Sequence, residues 1–138
     1  SPPPLFSVRG RSWLIDVERR LVQDPRLAAE LPDEPFVSSI TIAELRMGVE
    51  LSDAAHRRNR EAFVEVLVRE ATIVAFGLDE AVAYGRTAAA LRQAGQRIGE
   101  RDLMIAATAL ANGHEVLTLN RSEFERVPGL MLREYPSS

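Results

Sequence analysis

The segment from Gly99 to Leu110 most strongly constrains the fold, because it combines a glycine turn, an acid and a helix of small apolar residues. Its apolar positions recur at helical spacing and form a narrow stripe: Leu103, Ala106, Ala107 and Leu110. A stripe this narrow predicts a helix that packs close against a sheet. Asp102 lies one residue before the stripe, so we expect its carboxylate to point along the strand ends rather than into bulk water.

Strand-like and helix-like segments alternate along the chain. Strands are predicted at Leu5–Val8, Phe36–Ser38, Thr72–Phe76, Glu115–Leu119 and Leu130–Leu132. Helices are predicted at Trp13–Val22, 41–52, Ala54–Arg69, Leu78–Ala94 and 102–112. This alternation predicts an α/β fold in which helices cover both faces of a mostly parallel sheet.

Length and composition favour one globular domain. The chain has 138 residues and no cysteine, which excludes disulfides and zinc–thiolate sites. Its longest apolar run, Leu103–Ala111, is too short to cross a bilayer, and residues 1–4 do not resemble a signal peptide, so we expect a cytoplasmic protein without membrane association. The net charge of −3 gives no electrostatic footprint of a general nucleic-acid binder.

Three oxygen-bearing side chains fall at expected junctions between strands and helices: Glu44, Asp102 and Asn120. Such junctions meet at the carboxyl ends of parallel strands, and oxygen ligands there suit a hard divalent cation. Each residue also has a purely structural interpretation. Glu44 completes a capping box with Thr41, Asp102 is favoured by the helix dipole, and Asn120 is a possible N-cap for the turn at 121–124.

Other charged residues near these junctions are weaker candidates. Glu100 is a possible additional ligand or proton acceptor, although an exposed loop acid is the simpler interpretation. Three arginines neighbour the candidate acids and either clamp a phosphate backbone or remain solvated: Arg46, Arg97 and Arg101. His56 and His114 are isolated, without a paired acid, and are expected to be structural or surface residues.

Three ordered motifs together resemble a known family. They are Ser39–Gly48, Ile98–Ala107 and Leu117–Phe124, the last followed by Pro128–Leu130. These segments are similar to the acidic motifs and the tail of PIN-domain ribonucleases. The match is closest to VapC-type toxins of bacterial toxin–antitoxin pairs and extends from residue 12 to about residue 133. The resemblance implies an atypical N-terminal segment at residues 1–11 and a single PIN-like domain at residues 12–138.

The resemblance implies a three-layer α/β/α sandwich with a mostly parallel sheet of four to five strands. It also implies Mg²⁺ or Mn²⁺ in an acidic pocket, endonucleolytic cleavage of RNA, a homodimer and a cognate antitoxin. By motif, Glu44 and Asp102 match acidic ligand positions, Asn120 matches a position that is Asp or Asn, and Ser12 matches a small hydroxyl residue. Helix 54–69 and the Met47–Val49 segment are expected to form an apolar groove for the antitoxin helix.

The first motif departs from the family pattern. It normally begins with an Asp at the end of the first strand, and the alignment on Ser12 puts Gly10 at that position. Asp16 is expected on the following helix and is therefore not considered a substitute. Either the N-terminal segment is altered relative to an active enzyme, or the chain is a degenerate PIN domain that binds antitoxin or RNA without cutting. A small phosphate- or nucleotide-binding module is a third interpretation, although the chain has no glycine-rich phosphate loop.

Overall fold

The computed structural model describes residues 13–17 and 35–134. Within them, five strands form one parallel sheet in the order β3-β2-β1-β4-β5: Trp13–Ile15 (β1), Phe36–Ser38 (β2), Thr72–Val74 (β3), Glu115–Thr118 (β4) and Leu132–Glu134 (β5). The described helices are Ser39–Leu51 (α1), Ala54–Glu70 (α2), Leu78–Gln93 (α3), Glu100–Asn112 (α4) and Arg121–Phe124 (α5). No helix in these ranges is both long and apolar enough to span a membrane.

Helices cover both faces of the sheet, which confirms the predicted three-layer sandwich. Leu14 of β1 packs on one face against Ile105, Ala106 and Ala109 of α4. Ile15, the next residue, packs on the opposite face against a cluster that contains Leu67 of α2. Successive side chains of a strand point to opposite faces, so β1 contributes to both hydrophobic clusters.

The small-residue helix behaves as the sequence predicts. Ala106, Ala107 and Ala109 of α4 are fully buried, so the helix backbone lies close to the sheet. The helix ends at Gly113, which has a φ of +70°. That left-handed conformation favours glycine and turns the chain directly into β4.

The predicted helix Trp13–Val22 is wrong at its start, because Trp13–Ile15 forms β1, in the middle of the sheet. Asp16 and Val17, which follow β1, are not helical either. Residues 18–22 of that predicted helix lie outside the described residues, as do the predicted strand Leu5–Val8, Gly10 and Ser12. The last strand is Leu132–Glu134 rather than Leu130–Leu132. The remaining predicted elements agree with the observed bounds to within two residues at each end.

The strand order creates a crevice between β1 and β4. From β1 the chain proceeds to β2 and β3 on one side, whereas β4 and β5 lie on the other side of β1. Ligands of open α/β sheets bind at such a switch point, outside the carboxyl ends of the strands. The residues that follow β1 and β4 are Asp16 and Leu119–Asn120.

Candidate active site

Asp16 lies directly after β1 and is fully buried. Its backbone N–H donates to the carbonyl oxygen of Leu117 at 2.9 Å. Thr118 Oγ1 donates to Asp16 Oδ2 at 2.7 Å. The carboxylate is therefore fixed by β4, the neighbouring strand, at the switch point of the sheet.

Three carboxylates from separate parts of the chain meet around the guanidinium of Arg101. Its Nη1 lies 2.7 Å from Asp16 Oδ1 and 2.8 Å from Asp102 Oδ1. Its Nε donates to Glu44 Oε1 in a charge-assisted hydrogen bond. Its Nη2 donates to the carbonyl oxygen of Val17 at 3.1 Å. We call Asp16, Glu44 and Asp102 the acidic centre.

The acidic centre is closed on one side and open on the other. The side chains of Asp16 and Asp102 are 0% and 12% exposed, whereas that of Glu44 is 41% exposed. Glu44 belongs to the second turn of α1, whose N-cap is Ser38. The capping-box interpretation of Glu44 is therefore wrong, and its carboxylate lies on the solvent side of the centre.

Asn120 is joined to the acidic centre through Asp102. Its Nδ2 donates to Asp102 Oδ2 at 3.3 Å, and its backbone N–H donates to Thr118 Oγ1 at 2.8 Å. Asn120 occupies the N-cap position of α5, but its side chain makes no capping hydrogen bond. Thr118, which the sequence analysis missed, therefore contacts both Asp16 and the residue that holds Asp102.

Arg101 remains charged in this environment. Burial by itself lowers the pKa of Arg101, but attraction to Asp16 and hydrogen bonds with Glu44 and Asp102 outweigh it and raise the pKa. Three carboxylates around one guanidinium leave an excess of negative charge. Such an excess favours binding of a further cation.

The donor set of the acidic centre suits Mg²⁺ or Mn²⁺, since it consists of carboxylate oxygens with an amide nearby. Asp16 Oδ1 is buried and has no aligned hydrogen bond, although it is ion-paired with Arg101. Across residues 13–17 and 35–134, however, no three acidic or histidine side chains are grouped closely enough to hold a metal ion. The oxygen donors therefore fit a metal ion, but the guanidinium of Arg101 lies between the carboxylates in this structure.

Two of the predicted site residues have other contacts. The carboxylate of Glu100 accepts a hydrogen bond from the Tyr84 hydroxyl at 2.9 Å, which raises the pKa of Tyr84. Arg46 is ion-paired on the surface with Glu50 and Glu61, at 2.7 Å and 3.1 Å. A ligand role for Glu100 and an RNA contact by Arg46 both remain predictions.

The other two predicted arginines differ sharply in environment. Arg97 is exposed in the loop before α4. Arg101, predicted as a second RNA contact, lies inside the acidic centre with its side chain 26% exposed. Its position was not apparent from the sequence, because its partners on β1 and α1 are distant along the chain.

The histidines are structural or surface residues, as expected, but one prediction about them is wrong. His56 has a paired acid, because its Nδ1 lies 2.8 Å from Asp53 Oδ1 at the start of α2. Both side chains are largely exposed. The ring of His114 packs against that of Phe36, with centroids 4.5 Å apart.

Comparison with known proteins identifies the family. The family model described as the PIN domain matches residues 12–130. The chain belongs to the PIN domain family. It is 36% identical to the ribonuclease VapC1 of Rickettsia felis over 98 residues, which cover 70% of this chain and 73% of that protein. It is 35% identical over 99 residues to the tRNA(fMet)-specific endonuclease VapC of Salmonella typhimurium, covering 72% and 74% of the two chains.

Solved structures agree with this assignment to VapC-type PIN domains. The DNA-bound VapBC complex of Salmonella typhimurium contains a chain that superposes with a TM-score of 0.80 at 27% identity. The match covers 91% of this chain and 99% of that one. Fold and sequence therefore point to the same type of PIN domain.

The position of Asp16 bears on the expected alignment of the first motif. The family's first acid ends the first strand, and in this PIN domain the residue after β1 is Asp16, not Gly10. With Asp16 at the acid position, the chain differs from the family pattern at the next two positions, which are Val17 and Glu18 instead of Thr and Ser. An acid therefore stands directly after β1, and nothing favours the degenerate PIN domain inferred from Gly10.

Proposed function

We propose that this chain is the toxin of a bacterial toxin–antitoxin pair and cleaves RNA with a divalent metal ion, Mg²⁺ or Mn²⁺. The observation that carries the proposal is the convergence of Asp16, Glu44 and Asp102 at the switch point of a PIN-domain sheet. The names of the relatives, ribonucleases and endonucleases, support the activity.

Asp16, Glu44 and Asp102 would hold the metal. When bound, the metal supplies a Lewis acid for the scissile phosphate and lowers the pKa of a water nucleophile. The chain's own residues fix the ligands. Thr118 holds Asp16 through Oδ2 and leaves Oδ1 facing the centre, and Asn120 holds Asp102 through Oδ2. Preorganised ligands reduce the reorganisation that binding requires.

RNA approaches from the open side of the acidic centre, where Glu44 is exposed. The chain has a net charge of −3, so RNA binding depends on local cations rather than on the overall field. Arg97 is exposed beside a cavity of about 710 Å³, which Tyr84 and Glu100 also line. We propose Arg97 as a phosphate contact and Glu100 as an outer acid at this cavity, with Ser12 and Arg46 as weaker RNA contacts.

A cognate antitoxin is the proposed protein partner. Several of the similar solved structures are VapBC complexes. Large apolar side chains are exposed on α1 and α2: Met47, Leu51, Val66 and Val68. Exposed apolar groups of this kind suit an amphipathic partner helix. A homodimer and a cytoplasmic location complete the proposal.

The activity is tested by RNA cleavage with Mg²⁺ or Mn²⁺, comparing the natural chain with Asp102→Asn. We expect Asp102→Asn to lower cleavage by more than about 100-fold, because changes behind the ligands alone lower activity by about 10- to 100-fold. Asp79→Asn is the matched control, since Asp79 is also in the first turn of a helix but is exposed on α3.

Cleavage should stop in EDTA and return with added metal. Cleavage that survives EDTA, or that Asp102→Asn and Asp79→Asn affect equally, would contradict a metal-dependent ribonuclease at this site. The substrate in these assays is a broad RNA panel that includes structured RNA.

A further inference from the structure

Arg101 is the residue whose position the proposed chemistry does not use. It belongs to the first turn of α4, immediately before Asp102. Its Nη1, Nη2 and Nε all lie within hydrogen-bonding distance of oxygen atoms of the protein. An arginine that serves only as an RNA contact would instead present these donors to solvent.

The guanidinium contacts the oxygens that a metal ion would use. One nitrogen, Nη1, lies 2.7 Å from Asp16 Oδ1 and 2.8 Å from Asp102 Oδ1. Glu44 is held by Nε of the same group. The guanidinium thus contacts every member of the acidic centre. Guanidinium and divalent metal therefore compete for the same position.

The metal-free protein needs a cation there. Carboxylates crowded in a buried site repel one another, and leaving a buried charge unpaired is strongly unfavourable. Yet the arrangement is imperfect, because Asp16 Oδ1 is buried and lacks an aligned hydrogen bond despite the nearby guanidinium. A divalent ion can pair with Asp16 Oδ1 without an aligned N–H donor and carries twice the charge of a guanidinium.

We propose that Arg101 is a tethered counter-cation that occupies the metal position in the metal-free protein and leaves it when a divalent ion binds. The inference rests on the proposed function, since that function supplies the metal. Arg101 is thus a residue that sets metal affinity. It acts through the carboxylates and without contact to the metal.

The first test is titration of Mn²⁺ into the full chain, measured by isothermal calorimetry. If the binding-competent state requires Arg101 to withdraw, removal of Arg101 raises the apparent Mn²⁺ affinity by the reciprocal of the fraction of sites that Arg101 leaves open. We expect Arg101→Gln to bind Mn²⁺ about tenfold more tightly or better, which corresponds to at least about 1.4 kcal/mol.

Arg86→Gln is the matched control, because it removes the same charge from an exposed position on α3. We expect it to leave Mn²⁺ affinity unchanged. Equal or weaker Mn²⁺ binding by folded Arg101→Gln, relative to the natural chain, overturns the proposal. So does an equal gain in Arg86→Gln, since that would be a nonspecific effect of net charge.

A second measurement needs no folded glutamine variant. The Nε–H resonance of Arg101 is followed by NMR in the natural chain during addition of Mg²⁺, and it is assigned by its absence in Arg101→Lys. We expect the resonance to shift and lose protection from solvent exchange as Mg²⁺ binds. A resonance that stays unchanged and protected at Mg²⁺ saturation overturns the proposal.

The ribonuclease activity and the counter-cation role of Arg101 can be contradicted independently of each other. Tighter Mn²⁺ binding by Arg101→Gln without RNA cleavage by any variant supports the counter-cation and contradicts the ribonuclease. Cleavage that requires Asp102, together with unchanged Mn²⁺ affinity in Arg101→Gln, supports the ribonuclease and contradicts the counter-cation.

Discussion

Two clusters of arginine and carboxylate lie on opposite sides of α1 and differ mainly in their access to water. On the outer surface, Arg46 and Arg57 pair with Glu50, and Arg46 also pairs with Glu61. The side chains in these pairs are 40–51% exposed. In the acidic centre, by contrast, Asp16 is fully buried and Arg101 is 26% exposed.

The comparison shows that burial, rather than the type of pair, separates a solvated surface from a candidate active site. Exposed ion pairs contribute little, because water solvates the separated charges nearly as well. Around Arg101, the partners come from the residue after β1, from α1 and from α4, so the fold must hold like charges together. Buried clusters of interacting charged groups are typical of functional sites, including metal sites.

The largest expected effect is the loss of Arg101 in metal-free buffer. We expect Arg101→Gln in EDTA to lower the free energy of unfolding by about 2–3 kcal/mol. Breaking a fully buried ion pair costs about 3–5 kcal/mol. The expected loss is smaller here because Glu44 is partly exposed. Chemical denaturation at low and high NaCl measures it. Because buried charges are poorly screened, the loss should persist in high salt. A loss that disappears in high salt would place Arg101 with the surface pairs.

The next effect concerns Thr118, the buried hydroxyl behind Asp16. Thr118→Val leaves Asp16 Oδ2 without its donor, which we expect to lower the free energy of unfolding by about 1–3 kcal/mol. Weaker orientation of Asp16 should also lower Mn²⁺ affinity by about 10- to 100-fold. Calorimetric titration and denaturation measure the two effects.

Thr108→Val is the control for Thr118. Thr108 is also buried, but its hydroxyl donates to the carbonyl oxygen of Met104 within α4, at 2.8 Å. It should leave Mn²⁺ affinity unchanged. Equal Mn²⁺ affinities in the two valine variants would show that Thr118 only fills space.

The smallest expected effect belongs to the outer cluster. Arg46→Gln removes two exposed ion pairs, and we expect no measurable change in Tm or in Mn²⁺ affinity, because both partners are solvated without it. Differential scanning calorimetry measures Tm, and calorimetric titration measures the Mn²⁺ affinity. A fall in Tm comparable with that of Arg101→Gln would remove the distinction between the clusters.

Local patterns were sufficient for most of the sheet and helices. The apolar stripe of α4 predicted its close packing, and Phe36–Ser38 was predicted with its observed bounds. The first strand was missed because three residues are too few to show a period, and Leu14, Val17, Leu21 and Val22 happen to have helical spacing. What makes Trp13–Ile15 a strand is pairing with β2 and β4, which lie far along the chain.

The same limit applies to the site. Glu44, Asp102 and Asn120 were predicted because each is adjacent to a recognisable element and matches a motif. The predicted helix Trp13–Val22 places Asp16 away from the strand ends, whereas the apolar run Trp13–Ile15 is the sequence signal for a buried strand that ends just before Asp16. The role of Thr118 depends on its contacts with Asp16 and Asn120, which no local spacing encodes.

The most direct test of the account is RNA cleavage by the natural chain, Asp16→Asn and Gly10→Asp in parallel, with Mn²⁺. The account predicts that the natural chain cuts, that Asp16→Asn loses nearly all cleavage, and that Gly10→Asp gains nothing. An inactive natural chain that Gly10→Asp makes active would contradict it, because the first acid of the site would then belong at position 10 rather than at Asp16.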